Sequence, residues 1–360
     1  MYRIGSLRFY MATILCAVFC ISCVSPSTVA PTQTQPRATL TVPNTAPAKV
    51  ATPISVNPTQ TQAGSATPPA SSQNGTPTTA VQPTQGGARG GCQTNDTQGH
   101  ICVYAQHIMV IVLENNSRDK VLAIPYFKQL ADRGVLLSNY HGVTHPSQPN
   151  YIAMIAGDTY ISDDGNHDLP QNNLVDLFDA AGATWKAYME DYPGKCYARG
   201  STGLYARRHN PFISFNNVRT NPARCSQLVN AAQLAADVAA DQLPDFLFYV
   251  PNVKNDGHDT TLAFAADWLS GFLEPKLANA AFMNGTLIVV TFDEDDGKAD
   301  NQVYTVLLGP MVHAGSTDAT LYTHYSLLRT IEDNYGLGTL NLKDALAAPF
   351  AACNFGTGCH

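Results

Sequence analysis

Acidic residues are missing from the first quarter of this 360-residue chain: no Asp or Glu occurs before Asp96. Aromatic residues are missing from residues 24–91. A segment without acids, aromatics or apolar runs cannot bury enough surface to offset its ordering entropy, so that stretch is not a folded domain. Its 11 prolines and 14 threonines in 68 positions predict an extended, semi-stiff, disordered tether. Charge is sparse overall, at 14% Asp, Glu, Lys and Arg, whereas 44% of residues are hydrophobic. The hydrophobic share excludes a wholly disordered chain. The five cations before residue 92 leave 16 cations against 28 anions in residues 92–360. A domain that acidic lacks the Lys/Arg surface that nucleic-acid binding runs on, so no nucleic-acid partner is expected. A phosphate ester handled by such a domain needs a positive centre other than bulk charge, and a bound metal cation would supply one.

The first 23 residues read as an address. Arg3 and Arg8 precede an apolar stretch from Phe9 to Cys20, a charged region followed by a hydrophobic region of secretory length. It falls short of the about 20 apolar residues of a spanning helix. The stretch runs into Cys20-Ile21-Ser22-Cys23 and resembles a bacterial lipoprotein signal, with Cys20 where that pattern usually has Leu. Lipidation at Cys23, with membrane attachment by that anchor, is one expectation; simple secretion and a retained anchor are the alternatives. The expected organisation is a signal peptide over 1–23, the tether over 24–91 and a catalytic domain over 92–360. Six cysteines fall in the domain (Cys92, Cys102, Cys196, Cys225, Cys353 and Cys359). None forms a close Cys-x-x-Cys pair of a zinc site, so disulfides outside the cytosol are expected. Fifteen pairings are possible. The simplest is local: Cys92 with Cys102, Cys196 with Cys225, Cys353 with Cys359.

From about Cys92 onward, apolar runs alternate with amphipathic ones. Strands are predicted at His107–Leu113, 135–140, Phe246–Val250, Thr286–Phe292 and 304–308. Helices are predicted at 150–156, 173–181, 260–282 and 326–335. Phe264, Trp268 and Phe272 recur every four residues in the third helix, which predicts a core-facing stripe. The alternation predicts an α/β fold whose mostly parallel central sheet is covered by helices on both faces. In such sheets functional groups collect at the carboxyl ends of strands.

Those ends are chemically dense. The first strand exits into Glu114-Asn115, a carboxylate and a carboxamide, which suit a hard divalent cation as oxygen ligands. A helix cap or turn would use the same residues. The strand Thr286–Phe292 exits into Asp293-Glu294-Asp295-Asp296-Gly297. Four successive acids at a buried strand end need a cation or hydrogen bonds to offset their repulsion. Asp293 and Glu294 are the ligand candidates, and Asp295-Asp296-Gly297 can be only a turn. Ser147 opens a predicted helix within His145-Pro146-Ser147-Gln148-Pro149-Asn150. A hydroxyl there sees free N–H groups and the positive end of the helix dipole, and a nearby cation would make it a nucleophile. An ordinary N-cap occupies the same place. The strand Phe246–Val250 runs into Asn252, Asn255, Asp256, His258 and Asp259, where His258 can bind a phosphoryl group or act as a general acid.

Taken in order, Glu114-Asn115, Ser147-Gln-Pro-Asn150, Pro251-Asn-x-x-Asn255-Asp256-x-His258-Asp259 and Asp293-Glu294 resemble the phosphoesterase family that groups bacterial and fungal acid phosphatases with the non-specific phospholipases C. The resemblance covers about residues 106–338. It implies an alkaline-phosphatase-like three-layer α/β fold. It makes Glu114, Asn115, Asp293 and Glu294 metal ligands and Ser147 the nucleophile, where phospholipase members have Thr. Asn150 would line the site, and His258 and Asp259 would hold the phosphoryl or leaving group. The Tyr205–Phe212 segment also looks familiar from these enzymes, so His209 and Arg207 would face the substrate. His324 and Lys195 are further candidates. The cation is open: oxygen ligands admit Ca, Mg or Mn, and histidine also suits Zn or Fe.

The implied activity is metal-dependent hydrolysis of phosphate monoesters through a phosphoserine at Ser147, by a secreted or envelope-tethered enzyme. The short chain lacks room for the insertions that shape a lipid groove, which favours a small phosphorylated substrate. Phospholipase C activity is the alternative. A non-catalytic surface binding module stabilised by a structural cation is the third reading.

Overall fold

The computed structural model describes residues 105–356. The signal, the tether, Cys23, Cys92, Cys102 and Cys359 lie outside the described residues. Ten strands occur in chain order: β1 His107–Leu113, β2 Val135–Leu137, β3 Tyr140–His141, β4 Trp185–Met189, β5 Leu228–Asn230, β6 Phe246–Val250, β7 Thr286–Phe292, β8 Thr305–Leu308, β9 Ser316–Asp318 and β10 Tyr322–Thr323. Eight form one sheet in the order β5-β4-β6-β1-β7-β8-β2-β9. Every pairing is parallel except the two made by β8. The strands β3 and β10 make a separate parallel pair.

β1, β6 and β7 are buried along almost their whole length. Successive residues of a strand point to opposite faces, so burial at every position means both faces are covered. Their β-branched and aromatic sequences suit that environment. The three-layer α/β architecture with a mostly parallel sheet is as expected.

The helix Ser147–Ala156 is buried at all ten positions and packs against the helix His324–Tyr335. It starts three residues earlier than its apolar pattern suggested. Gly157, at φ +67°, ends it, and a side chain there would collide with Asp344.

Three expectations change. The strand predicted over 135–140 ends at Leu137, and Tyr140 belongs to β3 in the separate pair. The predicted helix over 260–282 is two helices, Leu262–Leu277 and Ala280–Met283, because Asn279 caps the second through Ala281 and Phe282. The first of these buries Ala265, Ala266, Leu269 and Leu273 instead of the aromatic stripe. Trp268 and Phe272 stack at 5.1 Å on its half-buried flank, and Phe264 is 45% exposed. Trp268 and Phe272 still meet the sheet, with their rings 6.2 and 4.4 Å from that of Tyr249 in β6.

Cys196 and Cys225 form the expected disulfide, with Cα atoms 5.6 Å apart. Among the described residues, no helix is long and apolar enough to cross a membrane.

Candidate active site

Three neighbouring parallel strands end together and carry most of the site. β1 pairs with β7 through Leu113 and Phe292, so Glu114 and Asp293 leave adjacent strands side by side. β6 lies on the other side of β1 and leads into the loop bearing Asp256 and His258. The Glu114 N–H donates to the Asp256 carbonyl (3.0 Å) and the Asp293 N–H to the Leu113 carbonyl (3.1 Å), which sets the three exits against one another. Glu190, just past β4, fixes the β6 loop from below. Its carboxylate accepts from the Asn252 N–H (3.0 Å), Asn255 Nδ2 (2.6 Å) and the Tyr249 hydroxyl (3.1 Å).

Ser147 is the first residue of its helix, but its hydroxyl caps nothing. Ser147 Oγ lies 3.2 Å from Glu114 Oε2 and 3.1 Å from Glu294 Oε1, and its one proton serves either carboxylate. Tyr151, one turn further along, donates its hydroxyl to Glu114 Oε1 and stacks on the His209 ring at 5.2 Å. His209 Nε2 lies 3.3 Å from Glu114 Oε1 and its Nδ1 lies 3.4 Å from Asp256 Oδ2.

Glu114, Asp256 and Asp293 are wholly buried and Glu294 nearly so. Burial, then Asp293 and Asp256, hold Glu114 well above the usual carboxylate range. Burial and Glu294 do the same to Asp293. Burial pushes Asp256 up to about 7, and raises Glu294 against the lowering influence of His145 and Ser147. Burial, then Arg208 and His258, push His209 well below its ordinary value, so it lends no positive charge. His145 Nδ1 meets Glu294 Oε2 at 2.5 Å from the rim.

This donor set fits a divalent cation. The donor atoms of Glu114, His209 and Asp256 all lie within 4.8 Å of one another. Both His209 ring nitrogens and Asp256 Oδ2 are buried without a hydrogen-bond partner. The amide end of Asn115 lies 3.0 Å from Asp293 Oδ1 and 2.8 Å from Glu114 Oε2. With nitrogen there it donates to both carboxylates. With oxygen there three acceptors face one another, which a cation among them would stabilise.

The structure therefore brings Glu114, Asn115, Ser147, His209, His258, Asp293 and Glu294 together. Other candidates play different parts. Asn150 does not line the cleft. Its Oδ1 accepts from Val143 and Thr144 N–H (2.8 and 3.1 Å), and its Nδ2 donates to the Thr144 and Pro146 carbonyls (2.8 and 3.2 Å). It holds the turn that delivers Ser147. Arg207 turns inward and anchors a loop by the Gly165 and His167 carbonyls (3.3 and 2.9 Å), so the arginine at the cleft is Arg208. Arg208 Nη2 sits 3.1 Å from His258 Nε2. Asp259 bonds His258 Nδ1 at 2.7 Å and orients the imidazole. Asp295 is a turn residue: its carboxylate accepts from Gly297, Ala299 and Asn301 N–H groups. Asp296 pairs with Lys120. His324, pushed down to about 4 by burial, stands behind the Asp293 carbonyl at 2.6 Å. Lys195 has a left-handed backbone beside Cys196, and nothing places it in the cleft. Sequence reasoning missed Tyr151, Asp256 as a ligand candidate, and Arg208. Only the Asn252–Asp259 cluster signalled Asp256 in advance.

The Phosphoesterase family model matches residues 120–338. The chain belongs to the phosphoesterase family. Within it, the chain is similar to a probable acid phosphatase of Kluyveromyces lactis, 39% identical over 253 residues, 66% of this chain and 60% of that one. It is also similar to a phosphatidylinositol-3-phosphatase of Mycobacterium tuberculosis, 36% identical over 239 residues, 64% of this chain and 77% of that one. A solved structure from Vibrio parahaemolyticus, of the alkaline phosphatase superfamily, aligns with a TM-score of 0.48 at 11% identity, over 68% of this phosphoesterase and 71% of that chain. This phosphoesterase spans about three fifths of the length of the fungal relatives it matches.

Proposed function

We propose that this phosphoesterase hydrolyses phosphate monoesters, outside the cytosol, with Ser147 as nucleophile. One observation carries the reading: the hydroxyl that opens a buried helix lies within hydrogen-bond reach of two buried carboxylates, Glu114 and Glu294, from different strand ends. Such a hydroxyl has a proton acceptor on either side and stands at the positive end of its helix.

In this scheme Ser147 Oγ attacks phosphorus as its proton passes to Glu114 or Glu294. The bond to the alcohol oxygen breaks; Arg208, which donates to His258 Nε2 in the structure, turns to the phosphoryl oxygens, and Nε2 then carries the proton that passes to the alcohol oxygen. Asp259 keeps the imidazole turned for this transfer, and Arg208 holds the phosphoryl oxygens beside it. A water then attacks the phosphoserine and gives its proton to His258. The serine oxygen leaves and recovers its proton from the carboxylate. Glu114, Asn115, Asp293 and Glu294, with His209 and Asp256 beside them, would hold a divalent cation. Bound there, it supplies charge neutralisation for the serine oxygen and the phosphoryl group.

The cation's identity rests on the donors: oxygens suit Ca, Mg or Mn, and His209 adds Zn or Fe. The Cys196–Cys225 disulfide supports an oxidising compartment, envelope-tethered or secreted. The mycobacterial relative favours a second reading, a phosphate monoester carried on a lipid headgroup.

The test follows phosphate release from a chromogenic monoester, and from a water-soluble phosphatidylinositol 3-phosphate, before and after chelation and return of single metals. Loss on chelation with recovery by one metal is the expected result. Turnover that survives exhaustive chelation would remove the metal from the scheme. Diacylglycerol without phosphate release would turn the reading to phospholipase C. No turnover of any ester by the folded, metal-loaded chain would leave the cation-stabilised binding module.

A further inference from the structure

The helix N-terminus beside the nucleophile already has an anion on it. Gln148, the second helical residue, donates its N–H to Asp164 Oδ1 at 2.9 Å. The other oxygen of that carboxylate lies 4.0 Å from Arg208 Nε. A helix-terminal N–H and a guanidinium both suit a tetrahedral oxyanion. Asp164 is thus a carboxylate on both groups that would receive phosphate oxygens.

It is not there by drift. Arg207 fixes the chain just after it through the Gly165 and His167 carbonyls. Asp163, the next acid, points elsewhere and bonds His167 at 2.6 Å. In the same cleft both His209 ring nitrogens are buried without hydrogen-bond partners, facing Glu114 and Asp256.

We propose that Asp164 occupies the seat of two substrate phosphate oxygens, and that phosphate binding displaces it from Gln148 N–H and Arg208. The inference rests on the reading of the cleft as a phosphate-ester site. Its consequence is selectivity: free phosphate, the product, must compete with a resident carboxylate. An ester gains further contacts through its alcohol, and product does not.

The test is calorimetric titration of the full chain with inorganic phosphate. Asp164→Asn keeps an acceptor for Gln148 N–H and removes only the charge. It should bind phosphate about tenfold more tightly, the size of one close charge repulsion at a partly solvated site. KM for a monoester should fall with kcat held. Asp163→Asn, one residue away, should change neither by more than about twofold. Unchanged or weaker binding in Asp164→Asn would make Asp164 a helix cap or a supporting ligand and overturn the proposal. An equal gain in Asp163→Asn would reduce it to general charge and also overturn it, as would no phosphate binding by either variant or the wild type. Ester turnover by the wild type is scored separately. Tighter phosphate binding by Asp164→Asn in a chain without turnover would keep the seat and discard the esterase.

Discussion

Ser147 has two neighbours able to take its proton, so its removal is the sharpest test of the site. Ser147→Ala should lower monoester turnover by at least about a thousandfold while the thermal midpoint holds, since the hydroxyl caps no helix. Thr144→Ala removes an exposed hydroxyl bonded only to the neighbouring carbonyl and should leave turnover within about twofold. Equal losses in both would mean that the loop and not the hydroxyl matters. A second residue-scale effect lies away from the cleft. Burial, and then the neighbouring Asp344, push Glu332 from its ordinary 4.5 up to about 9. Between those values the folded form keeps a proton that the unfolded chain has released. Stability therefore falls as pH rises through that window. Glu332→Gln should be nearly neutral at pH 5 and stabilising by roughly 2–4 kcal/mol at pH 8, read from urea midpoints. A gain independent of pH would show that Glu332 titrates normally. At this scale the sequence was informative where acids stood at buried strand ends. Glu114, Asp293 and Glu294 could be picked out because such acids need a partner. Arg208 could not be told from Arg207, because neighbours in a single helical turn face different ways and only the tertiary contact decides which meets the cleft.

Among the elements, β1, β6 and β7 matched their predicted bounds. Their apolar runs are unbroken because both faces are covered. β4, β5, β9 and β10 went unseen. Trp185–Met189 carries a lysine, and the other three are two or three residues long, too short for any period to show. The helix Ser147–Ala156 was placed late because its first turn, Ser-Gln-Pro-Asn, has no apolar signature. Asn150 is what holds that turn, with four hydrogen bonds to residues 143–146. Asn150→Ala should cost about 2–4 kcal/mol of stability by leaving backbone groups of the turn without partners. It should also lower kcat more than it changes KM, because it loosens Ser147. A stable variant with full turnover would show that the turn holds itself.

For the molecule as a whole, the acidic bed and the disulfide each make stability depend on conditions. A cation held by the native carboxylates and not by the unfolded chain stabilises in proportion to its free concentration. Chelation should lower the thermal midpoint, and the returned metal should restore it; an unmoved midpoint would place the metal outside the folded site. The Cys196–Cys225 bridge spans 29 residues. Replacing both cysteines with serine should cost about 3 kcal/mol, read from urea midpoints in an oxidising buffer.

The sheet's two outer strands have a consequence of their own. β5 and β9 are three residues each, while the long apolar strands lie inside. A neighbouring molecule that tried to extend the sheet from either margin would gain only a few backbone hydrogen bonds. The sequences with the greatest tendency to form amyloid-like ladders, β1 and β7, are each flanked on both sides by other strands. Crowded copies of this protein are thus shielded from fusing strand to strand, and the hazard returns only when the chain unfolds far enough to expose its centre.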